Sequence, residues 1–205
     1  MRLPTIRVAD ELGRYTALGV LWYCGLQVAV DATGSTPPVP HDTSAIRQRT
    51  AMTRSLYRRF GIDPTKIRPS SEALLRRVRR GQPWPAINSL VDVCNVCSLM
   101  AQLPFGLYDA ERIVGEIVFR RGYYGEEYEG IRKTMVHLSG RPALFDDVGP
   151  FGHPTSDSAR TMVTIETIRA LIVVFAPLEL GQEAIAAVLT QTTAASVRNT
   201  TGGVE

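Results

Sequence analysis

The stretch PAINSLVDVCNVCSL, residues 85–99, contains the clearest helical pattern in the chain. Apolar side chains recur every three or four residues between Ile87 and Met100, which predicts a helix with one buried stripe. The stripe consists of Leu90, Val93, Val96, Cys97 and Met100. Asn88, Asp92 and Asn95 share another side, so polar groups are expected beside a core.

Two further helices are predicted upstream, and both carry arginine. The first begins at Thr43 or Ser44 and ends at Phe60 before a capping Gly61, with Arg47, Arg54 and Arg58 on one face. The second runs from Glu72 to Arg80, with Ser70 or Ser71 as N-cap. Its last turns contain four arginines, Arg76, Arg77, Arg79 and Arg80, which suit the negative end of the helix dipole.

Strand patterns lie on both sides of this helical block. Residues 15–30 predict two short strands around a turn at Cys24-Gly25, and further strands are predicted over 115–121, 141–145 and 168–175. Residues 31–43 predict a surface loop, 179–189 a closing helix and 191–205 a frayed tail. This order favours an α+β fold over alternating βαβ units.

Length and composition predict a globular protein with a single domain over residues 1–205. The chain has 205 residues, 44% of them hydrophobic and 21% charged, and its longest apolar run is strand-sized. No membrane partner is therefore predicted. The N-terminus lacks the apolar stretch of a secretory signal, and three cysteines are too few and odd in number for a disulfide framework. A cytoplasmic location is predicted; the oligomeric state is left open.

Positive charge is concentrated in one segment. Residues 42–81 contain eleven Arg or Lys and three acids, a net charge of +8, while the rest of the chain carries −5. A field of this kind can attract a polyanion such as RNA. The alternative is a pair of amphipathic helices whose arginines are simply solvated.

Several common kinds of site are disfavoured. Cys94 and Cys97 form a single C-x-x-C pair, half of a zinc site, and the three histidines are scattered. HPTSDS at 153–158 places His, Asp and Ser together, but the glycine-flanked serine of a nucleophile elbow is absent. No phosphate-binding glycine loop is present either. We predict no metal and no cofactor.

The segments PSSEALLRRVRRG (69–81) and 85–99 together resemble the B3/B4 editing region of the phenylalanyl-tRNA synthetase beta chain. The family pattern N-x-x-V-D-x-x-N is matched by Asn88, Val91, Asp92 and Asn95. The likeness continues in order through LPFGLYDAERIVGEIVFRRG (103–122), GEEY (125–128), FDDVGP (145–150) and SDSART (156–161). It covers roughly residues 55–176, without aminoacylation motifs, so the chain resembles free-standing members of the family and not a ligase.

The resemblance implies a three-layer β/β/α arrangement with a barrel-like β core and helices packed on it. It also implies hydrolysis of the ester bond in mischarged aminoacyl-tRNA, with tRNA or aminoacyl-tRNA as the partner. The implied catalytic residues are Asn88, Asp92, Asn95, Glu126 and Thr161. The implied substrate-binding residues are Asp147, Ser158, Arg160 and Glu166. The implied tRNA-binding residues are Arg47, Arg54, Arg58, Arg76, Arg77 and Arg80.

One departure from the family pattern concerns specificity. The synthetases have a histidine in the turn where this chain has Gly106, after Pro104 and Phe105. Glu166 is the nearest equivalent, to within one residue of register, of the glutamate that helps the synthetase pocket recognise the tyrosine hydroxyl. An amino acid other than tyrosine is therefore expected as the cargo.

Each of these residues also has a structural interpretation. Asn88 is a natural helix cap, Asp92 and Asn95 are suited to binding buried backbone, Asp147 to a turn, and Arg160 to an ion pair with Asp157 or Asp147. Three functions consequently stay open. They are an aminoacyl-tRNA deacylase, a non-catalytic module that binds tRNA or an amino acid, and a small-molecule hydrolase or amino-acid-binding protein unrelated to tRNA.

Overall fold

A computed structural model describes residues 3–30, 37–41, 43–199 and 201–204, giving the backbone alone for 197–199 and 201–204. Its strands are β1 (Ile6–Val8), β2 (Thr16–Gln27), β3 (Phe105–Asp109), β4 (Ile117–Arg121), β5 (Glu127–Glu129), β6 (Met135–His137), β7 (Pro142–Phe145), β8 (Pro150–His153), β9 (Ser156–Asp157), β10 (Ala170–Pro177) and β11 (Thr201–Val204). Its α-helices are α1 (Asp10–Gly13), α2 (Ser44–Arg59), α3 (Ser70–Arg79), α4 (Ser89–Ala101) and α5 (Gln182–Asn199). The predicted α+β class is confirmed.

Strand β10 is the central element of a four-stranded sheet with the order β11-β2-β10-β3. It pairs antiparallel with β2 on one side and with β3 on the other. All its residues are buried, and Val, Ile and Phe dominate its sequence ALIVVFAP. A strand that is buried on both faces has a continuous apolar sequence, because neither face is in contact with water.

The two faces of β10 contribute to different cores. Leu171, Val173 and Phe175 pack with Tyr57 and Phe60 of the α2 region and with residues of β4 and β7. The alternate residues, including Ile172 and Val174, pack with side chains of α4 and α5. The period of two along a strand thus lets one segment join both halves of the molecule.

The other strands form two separate sheets. One has five strands in the order β1-β4-β7-β8-β9, and the second is the β5-β6 hairpin. The barrel-like core implied by the resemblance stays a prediction, since the described strands form open sheets. None of the described helices is both long and apolar enough to cross a membrane.

Two predictions, for residues 15–30 and 191–205, were wrong. Residues 16–27 form one strand, because Gly25 takes a φ of +63° and accommodates a bulge in the β2–β11 register instead of a turn. Residues 191–199 continue α5, and 201–204 pair with β2. The Thr192 and Ser196 hydroxyls donate to carbonyls one turn back, so these polar groups are satisfied within the helix.

The helices of the central block were predicted closely. Helix α2 begins after Thr43, whose hydroxyl accepts the Ile46 amide, and ends before Gly61. Helix α3 begins two residues earlier than expected, at Ser70, so Pro69 and not a serine occupies the N-cap. Of the predicted loop at 31–43, residues 31–36 and 42 lie outside the described chain, and 37–41 have no regular structure.

The end of α4 is fixed against α2 by a buried glutamine. Gln102 takes a left-handed φ of 54°, and its carbonyl accepts the Thr53 hydroxyl at 3.1 Å. Its side-chain amide donates to the Leu99 carbonyl at 2.6 Å. These bonds hold the C-terminal end of α4 to α2, so the face of α4 that carries Asn95 keeps one orientation.

Tyr108 of β3 fills a narrow space that two glycines keep open. A Cβ at Gly106 would lie 2.1 Å from the Tyr108 hydroxyl oxygen, and a Cβ at Gly152 would lie 2.3 Å from it. The tyrosine is fully buried and packs edge-on against Phe151, with ring centroids 5.0 Å apart. No histidine could occupy position 106 while Tyr108 holds this place, which explains the departure from the family pattern.

We expect Gly106→Ala to destabilise the protein by about 1–3 kcal/mol, because the buried ring of Tyr108 has nowhere to move. The measurement is the urea unfolding midpoint of the variant against the wild type. Gly13→Ala is the matched control, since its Cβ would meet only Val8 Cγ1 at 3.9 Å. Equal stability of Gly106→Ala and the wild type would show that Tyr108 does not lie between these glycines.

Candidate functional site

An arginine-lined cleft of about 690 Å³ opens between the helices and the five-stranded sheet. Helices α3 and α4 supply one wall, which includes Arg77 and Asn95. The opposite wall consists of Phe105 at the start of β3, residues 131–132 and the β8–β9 hairpin. Three guanidinium groups, those of Arg68, Arg77 and Arg132, line this space together with one carboxylate, that of Asp157.

An apolar chamber of about 180 Å³ continues from the cleft. The two spaces have five lining residues in common, Ile87, Asn95, Phe105, Ile131 and Asp157. The remaining wall of the chamber consists of Val91, Cys94, Leu107, Met162 and Val163. Among the described residues, Asn95 and Asp157 are therefore the two polar side chains at the junction between the arginine-lined cleft and the apolar chamber.

Asp157 has an unusual environment for a carboxylate. It lies on the short edge strand β9, paired with Gly152 of β8, and it is partly accessible from the cleft. Burial raises the pKa of Asp157 to about 7, while the Tyr108 side chain and the Leu107 backbone oppose the shift. The Tyr108 hydroxyl makes no hydrogen bond of normal geometry within the described chain, so it only weakly stabilises the charged form.

His153 borders the same cleft but is held as a neutral imidazole. Its Nδ1 accepts the Thr155 amide at 3.2 Å and lies 2.8 Å from the Thr155 hydroxyl, which places the ring proton on Nε2. Burial, with a smaller contribution from Arg141, lowers the pKa of His153 to about 3. This histidine is too weak a base to accept a proton at neutral pH.

Of the five predicted catalytic residues, Asn95 lies in the cleft wall. Asn88 caps α4 by accepting the Val91 amide at 2.9 Å, and Asp92 accepts the Ile87 amide at 3.0 Å. Asp92 Oδ2 is buried without a partner in the described chain, and burial raises the pKa of this carboxyl. The two residues hold the N-terminal end of α4 beside the cleft.

The other two predicted catalytic residues lie in different surroundings. Glu126 forms a two-pronged ion pair with Arg120, with both N–O distances 2.8 Å, and accepts the Tyr123 amide. Thr161 is fully buried, and its carbonyl accepts the Asp109 amide at 2.8 Å. The fold therefore does not gather the five residues around one point.

The predicted substrate-binding residues do not lie together. Arg160 forms a two-pronged pair with Asp146, at 2.8 and 3.0 Å, and not with Asp147 or Asp157. Ser158 is buried and its hydroxyl accepts the Arg160 amide. Asp147 is exposed and lines a separate cavity of about 540 Å³ beside Trp22, while Glu166 is exposed in a turn.

The predicted tRNA-binding arginines lie on different surfaces of the helical block. Arg54 binds both oxygens of Glu72, at 2.8 and 3.0 Å, and Arg68 binds the same carboxylate. Arg77 donates its Nε to the Pro83 carbonyl and also lines the cleft. The other four, Arg47, Arg58, Arg76 and Arg80, are exposed on α2 and α3. Of the basic segment, Arg68 and Arg77 therefore reach the cleft.

A family model described as the B3/4 domain matches residues 52–202. The chain belongs to the B3/4 domain family. No curated protein sequence matches this B3/4 protein. Among solved structures, it is similar to an N-terminal fragment of the phenylalanyl-tRNA synthetase beta-subunit from Pyrococcus horikoshii, with 14% identity and a TM-score of 0.53. The match covers 99% of the B3/4 protein and 52% of the fragment, so it spans about half of that chain and shows the fold.

Sequence reasoning gave Asp157 and His153 no place in the site of the B3/4 protein. Both occur in HPTSDS, where the closeness of His, Asp and Ser was the available signal. That signal suggested a serine triad, but the Ser158 hydroxyl accepts the Arg160 amide. The relevant feature is the cavity beside Asp157, which depends on chain segments that are distant in sequence.

We expect Asp157→Asn to stabilise the B3/4 protein at pH 8. The folded pKa of about 7 lies above that of an unfolded aspartate, about 3.9, so stability falls as the pH rises between these values. The full shift corresponds to about 4 kcal/mol, and water in the cleft reduces the expected gain to about 1–3 kcal/mol. The gain should vanish below about pH 4. Urea unfolding at several pH values measures it.

Asp63→Asn is the control for this measurement, because hydrogen bonds from Thr65 lower the pKa of Asp63. Its carboxylate form is favoured in the folded state, so amidation should bring no gain at pH 8. A loss of stability in Asp157→Asn at pH 8 would contradict the environment described for Asp157.

Proposed function

We propose that the B3/4 protein, with residues 1–205 acting as one domain, binds aminoacyl-tRNA and hydrolyses the ester bond of mischarged molecules. The observation that carries this proposal is the position of Asp157, a carboxylate at the junction of an apolar chamber and an arginine-lined cleft. An aminoacyl ester of RNA has the same two-part chemistry. Its amino acid would enter the chamber and its phosphates would lie toward the arginines.

Hydrolysis requires a base beside the scissile carbon. A water oxygen attacks the ester carbonyl carbon as the base accepts a proton from that water. The bond to the ribose oxygen then breaks and the ribose oxygen takes a proton, leaving free amino acid and tRNA. A general base works best with a pKa near the working pH, and the value of about 7 for Asp157 meets this requirement.

Electrostatics supports an RNA partner for the same cleft. Arg77 and Arg132 have no described carboxylate partner, and Asp157 is the one acidic side chain that lines the cleft. Helix α3, which supplies Arg77 to this opening, also exposes Arg76, so its surface carries further positive charge. Phosphate groups along a nucleic-acid strand would neutralise such a surface and release counterions. The phenylalanyl-tRNA synthetase likeness agrees with a tRNA-related role.

The remaining predicted residues have supporting roles in this proposal. Asn95, at the junction, is placed to bind the amino or carbonyl group of the cargo. Asn88 and Asp92 would hold the helix that carries it. Glu126, Thr161, Asp147, Ser158, Arg160 and Glu166 stay predictions from the family resemblance.

A non-catalytic binding module is the second candidate, and Gly106 is the observation that favours it. The histidine of the synthetase pattern is absent, and Tyr108 fills the space where its side chain would begin. In that case the cleft would hold an aminoacyl-tRNA or an amino acid without turnover.

We expect the wild type to release amino acid from at least one mischarged tRNA. The rate for Asp157→Asn should be lower by about 100-fold or more, because this variant lacks the base. The wild-type rate should rise with pH and level off above about 7, as Asp157 loses its proton. The measurement is release of radiolabelled amino acid from a panel of mischarged tRNAs, corrected for spontaneous hydrolysis.

Asp63→Asn, which changes an exposed carboxylate away from the cleft, should keep the wild-type rate. Equal rates for wild type and Asp157→Asn would remove Asp157 from the reaction. Absence of hydrolysis across the panel, with tRNA binding intact, would establish the binding module instead.

Replacing Arg58 and Arg76 by alanine should weaken tRNA binding equally for all tRNAs, because both side chains would contact phosphates. The slope of log affinity against log salt should become shallower by about 1–2 units for the double variant. Fluorescence anisotropy between about 50 and 200 mM salt measures this slope. Arg14→Ala, an exposed arginine outside the basic segment, is the control, and an equal change there would contradict a specific surface.

A further inference from the structure

We propose that the chamber is the binding pocket for the cargo side chain and that it selects amino acids with an apolar side chain. This inference rests on the proposed function and names its substrate class. It follows from what lines the chamber and from where its few polar atoms lie.

The chamber has the right size for one apolar side chain. Its volume of about 180 Å³ slightly exceeds the roughly 150 Å³ of an engineered apolar cavity that holds benzene. A leucine, isoleucine, methionine or phenylalanine side chain can therefore be enclosed. An alanine side chain would leave most of the space empty and would lose the corresponding contacts.

The deep wall of the chamber contains no strongly polar side chain. Val91, Leu107, Met162 and Val163 are apolar. Cys94 completes this wall, and burial raises the pKa of its thiol well above the usual value, so it stays uncharged. The polar side chains, Asn95 and Asp157, also border the cleft and so belong to the mouth of the chamber.

This polarity gradient orients the cargo. The side chain would point into the chamber, the amino and ester groups would lie at Asn95 and Asp157, and the ribose would face the cleft. A hydroxyl at the end of the side chain would lie beside the deep wall and lose its hydrogen bonds to water. An apolar pocket discriminates against an added hydroxyl by about 100-fold.

The test uses adenosine derivatives in which a 3′-amide replaces the ester to the amino acid. The protein cannot hydrolyse this amide. We expect the leucine, isoleucine or methionine derivative to bind at least 10-fold more tightly than the serine and tyrosine derivatives in calorimetric titrations. Binding is measured without turnover, so the result does not depend on catalysis.

Two chamber variants sharpen the experiment. Val163→Phe fills the chamber and should abolish the preference among derivatives, while Val163→Ala enlarges it and should favour the phenylalanine derivative. If Val163→Phe does not fold, Val163→Ala still tests whether the chamber selects the side chain. Val114→Phe, an exposed position outside the chamber, should leave the order of affinities unchanged.

Equal affinity for all derivatives, tighter binding of tyrosine or serine, or no binding at millimolar concentration would overturn the inference. Hydrolysis of mischarged tRNAs without a side-chain preference would leave the proposed function standing and remove this inference alone. Selective binding of apolar derivatives without any hydrolysis would support the chamber as a side-chain pocket and remove the proposed hydrolysis.

Discussion

Strand β10 is the constraint on which the rest of the molecule depends. Its residues 170–176 are completely withdrawn from water, and its backbone is paired on both sides, with β2 and with β3. Unpaired backbone groups in such a place would be costly, so the register of both neighbours is fixed. A shift of one residue in β3 would exchange Leu107, which lines the chamber, with Tyr108, which packs in the opposite core.

The packing of Tyr108 constrains the positions around it. Its ring needs glycine at 106 and at 152. Burial desolvates Asp157 and favours the neutral acid, while the Tyr108 side chain opposes this shift. The cleft therefore contains a carboxylate that titrates near neutrality and a buried histidine that does not, the opposite of the usual division between these residue types.

Polar residues in the sequence were harder to interpret than apolar ones, because one side chain can serve several purposes. Asn88 is a helix cap. Arg160 pairs with Asp146 and not with the expected Asp157 or Asp147. Glu72 binds both Arg54 and Arg68, which partly neutralises the basic segment while leaving Arg77 at the cleft. Which charges pair depends on distances between α2 and α3 that no local pattern contains.

The sequence by itself determined the α+β class, the three central helices and most of the longer strands, because local periodicity and capping residues specify these over a single turn or pleat. It also determined the family, through an ordered set of short motifs. Only the tertiary structure decided that 16–27 is one strand, that 201–204 completes the sheet, and that Asp157 lies between a chamber and a cleft. Those features arise from contacts between segments far apart in the chain, since a cavity and the pKa shift within it exist only after β3, β9 and α4 have come together.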